Sequence, residues 1–64
     1  MISYRVEYRR IGVNGWSHME ILDSLNGAVR YTESQAIEDW FKDYEFRILK
    51  RTIAEEEVWA RNTQ

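Results

Sequence analysis

Apolar and polar side chains alternate with a period of two along the start of the chain. Ile2, Tyr4, Val6 and Tyr8 share one parity and Ser3, Arg5, Glu7 and Arg9 the other, which predicts a strand over about 2–11 with one buried face. Gly12-Val13-Asn14-Gly15 follows, and its Asn-Gly pair supplies the positive φ angles of a tight hairpin turn. A second strand over about 16–22 then returns, with Met19 and Ile21 inward and Trp16, His18, Glu20 and Leu22 outward.

Asp23-Ser24-Leu25-Asn26-Gly27 is rich in turn formers, so the chain leaves the sheet there. The second Asn-Gly also admits a short extra strand over 28–31. Thr32-Glu33-Ser34-Gln35 has the form of a capping box, with Tyr31 and Ala36 placed as its hydrophobic staple. Beyond it Ala36, Ile37, Trp40, Phe41 and Tyr44 fall on one stripe at helical spacing. The pattern predicts a helix over about 33–43, capped by Thr32 and burying Trp40 at its centre.

A third strand is predicted over about 45–53, with Phe46 and Ile48 inward and Arg47, Leu49 and Arg51 outward. The tail, 54–64, is helical by composition, yet no Gly, Pro or Asn separates 54–61 from the strand. It reads best as that strand running on and fraying, with Val58 or Trp59 at the core edge. These elements define an α+β fold, a single β-β-α-β domain over 1–64. Its three-stranded antiparallel sheet, in the order 2-1-3, carries the helix on one face.

Composition narrows what such a domain can do. Its 64 residues bury only about 60% of the surface the unfolded chain exposes, so the core is marginal. No cysteine is present, which removes disulfides and thiolate metal sites. The hydrophobic share of 44% and aromatic share of 14% are those of a folded chain. Arg5, Glu7, Arg9 and Arg10 break the first apolar stretch, so no signal-peptide core is read, and no window approaches a membrane span. A soluble cytoplasmic protein is expected.

The Tyr4-Arg-Val-Glu-Tyr8 opening, the Asn14-Gly-Trp16 turn, the segment with Ala36 and Trp40, and Phe46-Arg-Ile-Leu-Lys-Arg-Thr52 together carry a likeness. They resemble small uncharacterised β-β-α-β proteins encoded by bacteriophages and prophages. The resemblance covers most of the chain and is one of pattern, without a catalytic motif. It implies a compact accessory factor that binds other proteins, in the host cytoplasm if phage-encoded.

Catalytic chemistry has few candidates. Ser17 and the lone His18 are strand neighbours and point to opposite faces, so they cannot pair as nucleophile and base. Asp39 and Asp43 share a helix face, but paired-carboxylate chemistry needs a cleft that a domain this small hardly has. One histidine leaves no zinc site, and Glu55-Glu56-Glu57 lacks the turn of a calcium loop. The chain is read as a non-enzyme with no cofactor, metal or small-molecule substrate.

The open sheet face is the candidate binding surface: Arg5, Arg9, Trp16, His18, Leu22, Arg47, Leu49, Arg51 and Ile53. Large apolar groups among arginines are the composition of binding hot spots. The alternative is that arginine stems pack across this face and pair with Glu7 and Glu20. Charge is also segregated, with a net −4 over residues 33–45 and +3 over 47–51. The expected partner is another protein or a second copy of the chain, bound through the sheet face or edge. The alternative is nucleic acid on the arginine and aromatic face; the formal charge of −2 weighs against it.

Overall fold

The structure, a computed structural model, describes residues 2–52 and 54–62. It contains β1 (Ser3–Arg10), β2 (Ser17–Leu22), α1 (Leu25–Ala36), a 3-10 turn (Asp39–Phe41), β3 (Tyr44–Arg51) and β4 (Glu55–Asn62). The strands form one antiparallel sheet in the order β2-β1-β3-β4. The predicted 2-1-3 core of the sheet is therefore present, with a fourth strand added beside the third.

The β1–β2 connection is wider than a two-residue turn. Val13 N–H donates to Arg10 O at 3.0 Å, and Gly12 stands third in that turn with φ 89°, the positive value a type II turn requires there. Gly15 takes φ 86°, while Asn14 keeps a negative φ. The two glycines, not the Asn-Gly dipeptide as a unit, make the reversal.

The helix lies earlier than the apolar stripe predicts. Ser24 caps it, its hydroxyl accepting from Gly27 N–H at 3.0 Å, so the turn-forming stretch starts α1 instead of a loop. Thr32 is a helix-interior residue, fully buried, whose hydroxyl donates to Ala28 O at 2.8 Å. The buried positions Ala28 and Thr32 are small, which lets the helix approach the sheet closely. No strand forms over 28–31, which lies inside α1.

The chain cannot continue helical through 37–44, because β3 must start at Tyr44 to complete its ladder with β1. That ladder runs unbroken from Arg10 opposite Tyr44 to Ser3 opposite Arg51. Glu38 is already extended, and Asp43 takes φ 68°, a left-handed conformation that aspartate tolerates better than most residues. Phe41 and Tyr44 keep a packing role, in a different geometry. Phe41 stands edge-on to Tyr8, Tyr44 and Phe46 at centroid distances of 5.7, 5.5 and 5.4 Å. Trp40, expected at the centre of the core, is instead 72% exposed.

The core itself is Val6, Ala28 and Ile48, with Tyr4, Met19, Leu22, Val29, Tyr31, Val58 and Trp59 packed around it. Val58 and Trp59 do touch the core edge, but from a strand that has reversed direction. Two bulges shape the outer pairs. In β2, Glu20 faces Val6 and His18 faces Glu7, so Met19 is the extra residue. The phase of the strand flips across it. Leu22 lies opposite Tyr4 and packs on the core, Glu20 lies on the helix side, and Ile21 turns outward opposite Arg5 at 56% exposure. Simple alternation had placed Leu22 and Glu20 outward and Ile21 inward. In β4 the corresponding irregularity falls between the Ile48 and Leu49 pairings.

Phe46→Ala is expected to cost about 3–5 kcal/mol, and Ser24→Ala about 1 kcal/mol. Trp40→Ala should stay within about 0.5 kcal/mol of wild type. Urea unfolding followed by circular dichroism tests the order; an unfolded Trp40→Ala variant would contradict the fold. The bulge has its own check. Burial, and after it the charge of Glu20, hold the Tyr31 phenol above its ordinary range. Because a nearby carboxylate disfavours the phenolate, Glu20→Gln should lower the Tyr31 midpoint in an NMR titration while burial keeps it raised. No movement would mean that Glu20 faces away from the helix.

Candidate interaction surface

The open face is organised around one carboxylate. Glu7, in the middle of β1 and 8% exposed, accepts from Arg47 Nε at 2.8 Å and lies 2.7 Å from Arg47 Nη2. Arg5 Nε approaches its other oxygen at 3.6 Å, and Arg5 also forms a hydrogen-bonded ion pair with Glu55 on β4. That bond to Glu55 raises the Arg5 pKa further, so the guanidinium is permanently charged. Arg9 Nε lies 3.3 Å from Glu45 Oε2 without the alignment of a hydrogen bond. The guanidinium carbons of Arg9 and Arg47 each lie 4.3 Å from the centre of the Trp16 ring.

The register explains this assembly. Glu7 faces Arg47 across the β1–β3 ladder and Arg9 faces Glu45, so opposite charges meet directly. Leu49 faces Arg5 and is only 8% exposed, so it offers little apolar area. Of the predicted surface, Arg5, Arg9, Trp16, His18, Arg47, Leu49 and Arg51 share this side of the sheet. Leu22 does not, and Ile53 lies outside the described residues. Among the described residues Arg51 makes no ion pair, and His18 stands exposed opposite Glu7. The arrangement matches the alternative of arginine stems packing over the face, with Glu7, Glu45 and Glu55 as their partners. Glu20 is not among them; its carboxylate accepts from Ile21 N–H at 3.0 Å.

Apart from Ile21, which stands opposite Arg5 on this face, the exposed large apolar side chains lie elsewhere. Ile37 is 74% and Trp40 72% exposed, on the turn segment between α1 and β3. Glu38 and Asp39, also exposed, stand between them in sequence. At the β2 edge, Ile2, Ser3, Ile21, Leu22 and Asp23 line an open depression of about 610 Å3. Pattern reading missed Ile37 and Trp40 as surface residues because their spacing is that of a helix stripe. The competing signal was Ser24, a cap that starts a helix too early to reach them. Glu7 was also under-read, although arginines two positions to either side on one face mark it as a pairing hub.

Among the described residues no group of three or more His, Asp or Glu side chains is placed to hold a metal ion. No helix there is long and apolar enough to cross a membrane. No protein-family model, curated protein or solved structure matches this chain.

Glu7→Ala should destabilise the fold by about 1–3 kcal/mol, since it leaves two guanidiniums facing each other over a desolvated site. Arg51→Ala should change stability by less than about 0.5 kcal/mol. Paired urea midpoints test this; equal effects would mean that the network around Glu7 is not a structural unit.

Proposed function

We propose that this chain is a non-enzymatic protein-binding module of the kind its resemblance to small phage accessory proteins implies. The observation that carries the reading is the exposure of Trp40 and Ile37. A tryptophan that folding leaves 72% exposed, three residues from an isoleucine that is 74% exposed, is costly to keep on a free surface. It is also the residue type that most often anchors a protein interface. The contact is therefore assigned to the turn segment between α1 and β3 rather than to the open sheet face. On that face Arg5, Arg9 and Arg47 are paired and the Trp16 ring is already packed against guanidiniums, which favours a structural role for most of it. The same pairing weighs against nucleic acid, since phosphate contacts would have to break ion pairs with Glu7, Glu45 and Glu55.

Affinity capture with immobilised protein tests the assignment. Wild type and the Arg51→Ala variant should retain the same partner from a bacterial lysate, and a Trp40→Ala bait should lose it while remaining folded. Equal capture by the Trp40→Ala bait would overturn the surface. Titration with labelled single- and double-stranded DNA and RNA covers the other class. Micromolar, salt-sensitive binding lost in an Arg47→Ala, Arg51→Ala double variant would replace the protein-binding reading altogether.

A further inference from the structure

The surroundings of Trp40 carry more than exposure. Residues 37–43 contain Glu38, Asp39 and Asp43 against Lys42 alone. Glu38, Asp39 and Asp43 form no ion pair among the described residues, a state they share with Glu20, Asp23, Glu56 and Glu57 but not with Glu7, Glu33, Glu45 and Glu55. α1 ends at Ala36 with no basic residue of its own in the last turn. Arg61 of β4 reaches Glu33 there, and Gln35 O accepts from Ile37 and Glu38 N–H. The negative end of the helix dipole beside Ile37 is thus met by backbone donors and by that one arginine. Two carboxylates without an ion pair and the C-terminal end of α1 thus lie next in sequence to two exposed apolar side chains.

Resting on the protein-binding reading, we infer that the Ile37–Trp40 segment is a docking site for a cationic, apolar segment of another protein. Its apolar side chains would cover Trp40 and Ile37, and its lysine or arginine groups would face Glu38 and Asp39. Charge complementarity selects this occupant. An anionic membrane surface would be repelled by the same carboxylates. A second copy of this segment would bring like charges together around the shared apolar contact. Apolar burial then supplies most of the affinity, and the carboxylates set orientation and association rate.

A fluorescein-labelled peptide of alternating leucine and lysine is the probe, with glutamate replacing lysine as its control, both followed by anisotropy. The lysine peptide should bind and the glutamate peptide should not. Trp40→Ala should weaken binding about tenfold or more, the scale of a lost interface anchor. A Glu38→Gln, Asp39→Asn double variant should weaken it several-fold and flatten its dependence on salt. Equal affinity for both peptides, or no loss in the charge variant, would overturn the cationic partner. If Trp40→Ala still abolished lysate capture in that case, the protein-binding surface itself would stand. Indifference of both capture and peptide binding to Trp40→Ala would remove both proposals. Trp40-dependent self-association in sedimentation, or Trp40-dependent binding to phosphatidylglycerol vesicles, would also overturn the inference by naming a different occupant.

Discussion

The ladder between β1 and β3 is the constraint from which the rest of this small fold follows. It is the one pairing without irregularity, from Ser3 opposite Arg51 to Arg10 opposite Tyr44. Because side chains alternate across a strand, each of its pairs commits residues to one face or the other. Val6 with Ile48 and Tyr8 with Phe46 build the side that receives α1 and the aromatic cluster. Glu7 with Arg47 and Arg9 with Glu45 build the other side. A one-residue slip would exchange these sets and bury the charges under the helix. The register is thus fixed twice over, by apolar burial on one face and by charge pairing on the other.

That double use bears on how a chain of this length stays folded. Its fully buried side chains are few: Phe46, Ile48, Val6 and Thr32 are the largest. Exposed ion pairs contribute little, but Glu7 is largely withdrawn from water and shared between two guanidiniums. Arg9 and Arg47 also cover Trp16, so their stems and charges shield apolar area that the small helix cannot reach. The open face acts as a second, ionic layer of the core.

Local pattern made some elements legible and hid others for identifiable reasons. β1 and β3 alternate cleanly because they lie at the centre of the sheet, where both faces are specified, and their placement followed directly. β2 is an edge strand with a bulge at Met19, and alternation cannot anticipate an inserted residue; Leu22, Glu20 and Ile21 were consequently assigned to the wrong sides. The helix was displaced because two capping signals compete, Ser24 and Thr32. The stripe through Ile37, Trp40 and Phe41 favoured the later one. Long-range pairing decided for the earlier, since Tyr44 is needed by Arg10. The tail was read as a continuation because no breaker marks the reversal after Arg51. Of the surface, the grouping of Arg5, Arg9, Trp16 and Arg47 on one face was visible from parity. Of the carboxylates that pair with these arginines, Glu7 was also read, but Glu45 and Glu55 were not, because their pairing depends on which strand lies beside which.

The two bulges have a consequence for how copies of this protein meet. A four-stranded open sheet has two unpaired borders, and if β2 of one copy could zip to β4 of the next, the contact would repeat without closing and grow a fibre. Both bulges fall in the outer pairings, where they twist and shorten the regular hydrogen-bonding row that such growth needs as a template. Glu55, Glu56 and Glu57 add a run of like charge along one border. The irregularities that scrambled the reading of β2 thus also make each border a poorer template for edge-to-edge growth between copies.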